Sequence, residues 1–299
     1  EDCVVLVGPG EGALVKLVGT AHVSLESCDD VRRVIRRERP RVVALELCRM
    51  REAMLHPMVA PDVSMASILH QLRSKDANVF AVLYGWFLAK VSAELECPPG
   101  SEFRIAYEEC VRLKPPPDVI LVDRLVNITV ARAWAGLSVF EKLHMVYILL
   151  RDSINLPSGE DLKDIIEHMK DADVFTKTVE EFGQLFPGIV APLITERDEY
   201  LSYMLYTQAG RMYGGEVMVA VVGAGHVPGI VENWGREIDV RGLEQMPRKS
   251  KRSAAAQLAL RLVLMTTAFG AVLATVVISG KTAKTALWAG GKLVARLRR

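Results

Sequence analysis

Four short apolar runs stop at a glycine or a charged residue: LVKLVG at 14–19, RVVALE at 41–46, DVILVD at 118–123 and VMVAVVG at 217–223. Runs of this length, rich in β-branched residues and bounded by turn formers, predict buried strands. Between the first two lies SLESCDDVRRVIRRERP, with Ser and Asp at its start and Pro40 at its stop, which predicts a helix. A strand, helix, strand unit makes its two strands parallel. Helical patterns then dominate, with NVFAVLYGWFLAKVSAELEC at 78–97, SEFRIAYEECVRLK at 101–114 after Pro98, Pro99 and Gly100, and a long stretch at 128–212. This is more helix than simple crossovers need. The expected architecture is an α/β fold over residues 1–247, a central mostly parallel sheet with a large helical insertion at about 64–213.

The end of the chain has another pattern. RKSKR at 248–252 and Arg261 precede LVLMTTAFGAVLATVVISG at 262–280, an uncharged run of the length a bilayer crossing needs. Lys281, Lys284, Lys292, Arg296, Arg298 and Arg299 follow it. The expected organisation is a basic linker at 248–261, a C-terminal membrane-anchor helix at 262–280 and a basic tail at 281–299. A long buried helix of the soluble domain is the alternative reading. A moderately apolar anchor with basic flanks suits the mitochondrial outer membrane, facing the cytosol, with the endoplasmic reticulum as the alternative.

Composition narrows the function classes. With 299 residues, 50% of them hydrophobic, and a formal net charge of +1, the chain can bury a sizeable core and has no disorder signature. The last acidic residue is Glu244, and every charged residue from Arg248 onward is basic. Nucleic acid is not an expected partner of such a chain. Five scattered cysteines, Cys3, Cys28, Cys48, Cys97 and Cys110, lack CxxC spacing, which argues against a disulfide framework and a zinc ribbon and for a reducing compartment.

The strand ends carry the candidate chemistry. VKLVGTAHV at 15–23 and VAVVGAGHV at 219–227 repeat one phrase, in which an apolar run gives way to Gly, two small residues and His. His22 and His226 are therefore expected just past strand ends, as is Glu46. Ligands of open α/β sheets gather beyond the carboxyl ends of the strands. Two imidazoles and a carboxylate can hold zinc, manganese or iron with positions left for water and substrate. A satisfied turn histidine is the bland reading of either phrase alone. For Glu46 the bland reading is an ion pair with Arg51. Cys48 reads as a buried thiol, with a nucleophile beside a histidine as the alternative, and Asp123 with Arg124 as either pocket wall or ion pair. His56, His70, His144 and His168 read as surface or packing residues, and the glycines of VGPGEGA match no phosphate loop, since no GK[ST] follows.

GTAH at 19–22, ELCRMR at 46–51, PGSEFRIA at 99–106, DR at 123–124, ERDEYL at 196–201 and GAGHVPGI at 223–230 together resemble the TraB, PrgY and Tiki family, most closely its TraB-domain members of animals and plants. The resemblance covers about 4–234 and extends to the apolar, basic-flanked C-terminus. It implies an α/β fold like that of the ChaN and erythromycin-esterase group, with the two GxxH motifs and a glutamate marking the active site. It further implies a metal-dependent hydrolase of peptidase type, or a peptide-binding protein. Carried over, His22, Glu46 and His226 are the catalytic and metal candidates, with Mn, Co or Zn as cofactor. Arg51, Glu102, Arg104, Asp123, Arg124 and Arg197 are the supporting or substrate-binding candidates, and a peptide or protein is the implied substrate. A catalytically silent binding or tethering protein on a cytosol-facing membrane is the alternative.

Overall fold

The computed structural model describes residues 3–10, 12–21, 25–56, 70–71, 82, 85–87, 100–154, 161, 181 and 183–247. They belong to one compact unit, Glu1–Arg248. The candidate linker at 248–261, membrane helix at 262–280 and basic tail at 281–299 lie outside the described residues, as do Cys97, His168 and most of the helix expected at 78–97. Among the described residues no helix is long and apolar enough to cross a membrane.

All four expected strands form, in a sheet of five whose order is β1-β2-β5-β3-β4. These are β1 Val4–Val7, β2 Leu14–Thr20, β3 Val42–Leu45, β4 Asp118–Leu121 and β5 Val217–Gly223. β2, β5, β3 and β4 run parallel, and β1 turns back antiparallel on β2. The helix between β2 and β3, α1 Leu25–Glu38, makes the two strands parallel as expected, but β5 lies between them. β5 is apolar throughout because both its faces are covered: Met218, Ala220 and Val222 point to one side, Val219 and Val221 to the other. Burying each of those valines stabilises the fold by roughly 1.5–3 kcal/mol.

Helices cover both faces. On one side α1 contributes Val31, Val34 and Ile35, and α2, Ser101–Arg112, contributes Phe103, Ala106 and Cys110. On the other, α6, Glu196–Ala209, contributes Leu201, Leu205 and Ala209, and α7, Val227–Asn233, contributes Ile230. Between them in sequence come α3 Val126–Gly136, α4 Val139–Ile154 and the short α5 Pro187–Val190; α8, Val240–Leu243, follows α7. The interval 64–213 thus contributes to the core layers: β4 extends the sheet, and α2 and α6 pack directly on it.

β1 was not expected. Its VVLV run has no alternation to read, since it forms an outer strand with Val4, Val5 and Val7 exposed. The VGPGEGA glycines serve the β1–β2 hairpin, where Gly10 and Gly12 have φ of 75° and 80°. Those values fall where a side chain is strained.

Candidate functional site

The carboxyl ends of β2, β5, β3 and β4 lie along one edge of the sheet. The register pairs Thr20 with Gly223 and Leu45 with Val221, so both histidine phrases and Glu46 leave neighbouring strands. His22 itself lies outside the described residues. Glu46 and His226 are brought together.

Glu46 continues β3, and its backbone N–H donates to Val221 O at 3.1 Å. Its side chain is 3% exposed. Oε2 accepts from the Gly223 N–H at 2.5 Å, while Oε1 accepts from Arg197 and lies 3.5 Å from His226 Nε2. One carboxylate oxygen is thereby fixed to the end of β5, and the other faces the histidine.

His226 ends a single 3-10 turn, Ala224–His226, just after β5. Its Nδ1 meets Asp198 Oδ1 at 2.5 Å, and its Nε2 meets Arg197 Nη1 at 2.8 Å. A guanidinium only donates, so Nε2 must present its lone pair, and the ring hydrogen then sits on Nδ1 and is donated to the Asp198 carboxylate. Burial pushes the Asp198 carboxyl above its ordinary range, and the hydrogen bond with His226 works against that shift. Gly229 makes room for this pair. A Cβ added there would land inside van der Waals contact of Asp198 Oδ2, so no larger residue fits without displacing the carboxylate.

Arg197 is the hub. Besides Glu46 and His226, its Nε donates to Asp123 Oδ1 at 3.1 Å and its Nη2 to Asp123 Oδ2 at 3.0 Å. Burial lowers its pKa, but Glu46 and Asp123 outweigh burial, and the net shift is upward. Asp123, just past β4, also accepts from Arg51 Nη2 at 2.5 Å and from the Arg124 N–H at 2.8 Å. Arg51 therefore pairs with Asp123; it touches Glu46 only at the backbone oxygen, at 3.5 Å. One turn of π-helix, Ala191–Thr195, leads into α6. Such turns are frequent at functional sites, and here the consecutive residues Glu196, Arg197 and Asp198 all point inward.

The fully buried Arg124 side chain turns away to Thr129 Oγ1 at 3.0 Å, Glu196 Oε2 at 2.6 Å, Pro192 O at 2.8 Å and Leu243 O at 3.2 Å. Glu102 is buried in the first turn of α2. Arg104, also on α2, makes a loose pair with Glu108 at 3.8 Å. Cys48 is a buried thiol.

Asp198 is the residue that sequence reading passed over. Its signal was present in ERDEYL, but alternating charges at a helix start ordinarily mark a solvated face.

Glu46 Oε1 and His226 Nε2 stand at about the separation of two ligands of one tetrahedral ion, about 3.3 Å from ordinary metal–nitrogen and metal–oxygen lengths. Asp198 supplies the outer partner that a ligating histidine needs. In that respect the donors suit a divalent metal. Both atoms also engage Arg197, so an ion must take them from the guanidinium. Among the described residues no group of three or more His, Cys, Asp and Glu side chains is poised around one point.

The TraB/PrgY/gumN family model matches residues 9–236. A TraB domain-containing protein of Bos taurus is 33% identical over 275 residues, covering 84% of this chain and 70% of that protein. Its Homo sapiens counterpart is 32% identical over the same shares. An uncharacterized protein of Methanocaldococcus jannaschii is 30% identical over 248 residues, covering 79% of this chain and 58% of its own length. Site residues from the first histidine phrase to GAGHVPGI fall inside the matched span, and the chain belongs to the TraB/PrgY/gumN family.

Proposed function

We propose that the chain is a metal-dependent hydrolase acting on a peptide or amide bond, with His22, Glu46 and His226 as the ligands of a divalent Mn, Co or Zn ion. The observation that carries this reading is the facing pair of Glu46 Oε1 and His226 Nε2 at the sheet edge, with the far side of the imidazole tied to Asp198. When bound, the ion lowers the pKa of a water and polarises the substrate carbonyl. The chain's own groups prepare that step. Asp198 holds the Nδ1 hydrogen and so keeps the Nε2 lone pair in the site. Gly223 N–H fixes one oxygen of Glu46, leaving the other to accept a proton or a ligand. Arg51, with its side chain 32% exposed beside Asp123, is a guanidinium open to a substrate carboxylate.

One observation favours a second reading. Arg197 already engages Glu46, His226 and Asp123, an arrangement suited to a catalytically silent pocket that captures a ligand or partner. The full chain, loaded in turn with Mn, Co and Zn and offered a peptide library, decides between them. Cleavage that disappears in Glu46→Gln supports the hydrolase; no cleavage with any metal favours the silent pocket.

The run at 262–280, with its basic flanks, is proposed to anchor the protein to the mitochondrial outer membrane facing the cytosol, the endoplasmic reticulum being the alternative. Removing residues 262–299 should release the protein into the soluble fraction. Retention on membranes would rule the anchor out.

A further inference from the structure

We infer that Arg197 is an exchangeable resident cation, whose guanidinium and a divalent ion occupy His226 Nε2 and Glu46 Oε1 in turn. The inference rests on the metal reading above and adds a device that sets how tightly the ion is held.

Its basis is the valence of the imidazole nitrogen. Nε2 has one in-plane lone pair, and the Arg197 Nη1 contact at 2.8 Å uses it. Guanidinium and metal therefore exclude each other at that atom. The same side chain sends its Nη2 to Glu46 Oε1, the second donor an ion would need. Arg197 thus supplies positive charge to both candidate ligands at once, and it is always protonated.

The contacts around Asp123 permit the exchange. If Arg197 leaves Glu46 and His226, the incoming ion neutralises Glu46. Asp123 is not stranded, because Arg51 Nη2 at 2.5 Å and the Arg124 N–H at 2.8 Å still serve its two oxygens. Arg197 keeps its Nε contact to Asp123 Oδ1 as a pivot on the chain side of the guanidinium. Its side chain is 16% exposed, whereas that of Arg124 is 0% exposed and bonded to backbone carbonyls, so of these two arginines Arg197 is the one with an outlet. The arrangement suits an ion that enters and leaves, with Asp123 partnered in either state.

The test is calorimetric titration of the full chain with Mn, Co and Zn, wild type beside Arg197→Met and Arg197→Lys. Removing a competitor that makes charge-assisted bonds to both donors should tighten ion binding roughly tenfold to a hundredfold in Arg197→Met. Arg197→Lys keeps the charge but loses the fork and should fall between. It also serves as the reporter if the methionine variant does not fold. A purely structural arginine would give the opposite sign, because its loss loosens the donors. If the wild type binds metal and the folded variants bind it equally or more weakly, the exchange is overturned while the metal site stands. If none of the three proteins binds any of the metals, both the exchange and the metallohydrolase reading fall.

Discussion

Arg124 is buried and Arg197 half-buried beside the same helix start, and their surroundings differ in kind. Arg124 is enclosed by Thr129, Glu196 and the carbonyls of Pro192 and Leu243, which tie α3, the π-turn and α8 together. Arg132 completes that node with two bonds to Glu196, both at 2.7 Å. Arg197, next in sequence to Glu196, instead gathers Glu46, Asp123 and His226, groups from three strand ends. Full enclosure and close backbone carbonyl acceptors mark a structural arginine. Acceptors gathered from three strand ends and partial exposure mark one that chemistry can use.

Replacing Arg124 should break this contrast most severely. Arg124→Met leaves Glu196 with only Arg132 and strands two buried carbonyls, and breaking a buried pair costs about 3–5 kcal/mol. Denaturant unfolding should register that loss, and a destabilisation below about 1 kcal/mol would contradict the structural role of Arg124.

Gly229→Ala should come next, because the new methyl must displace the Asp198 carboxylate. Overpacking of this kind costs about 1–3 kcal/mol. The ring-nitrogen NMR signals of His226 should lose their single-tautomer pattern, whereas an unchanged spectrum would mean that Asp198 does not hold the ring.

The Glu196 node should also show in pH dependence. Burial raises its pKa, but Arg132 and Arg124 outweigh burial and hold it below its ordinary value of 4.5. A depressed carboxylate contributes stability that is present above the unfolded value and lost as pH falls through the folded one. The stability gap between wild type and Glu196→Gln should therefore be full above about pH 4.5 and shrink below it. A gap independent of pH would contradict the pairing.

The smallest effect belongs to the surface. Asp30 and Arg33 form an exposed pair on α1, and Arg33→Ala should change stability by less than about 1 kcal/mol. It serves as the control for the three changes above.

The strands were legible because apolar runs ending at glycine or a charge have few other readings, and the repeated histidine phrase pointed to one sheet edge. The position of β5 between β2 and β3 was not legible, since strand order depends on which helices cover which face. Arg197 and Asp198 were half legible: the motif marked the arginine, but both looked like solvated helix charges until α6 was packed on the sheet. The Arg51 partner was misdirected by proximity in sequence. Asp123 lies 72 residues away from Arg51 and reaches it only because β4 pairs with β3.

Glu46 and His226 are proposed to form the heart of one ion-binding site. Elemental analysis and calorimetry of the full chain, wild type beside Glu46→Gln and His226→Ala, test it most directly. One divalent ion per chain, lost in both folded variants, is the predicted result. Binding that survives both substitutions, or no binding in the wild type with Mn, Co or Zn, would contradict it.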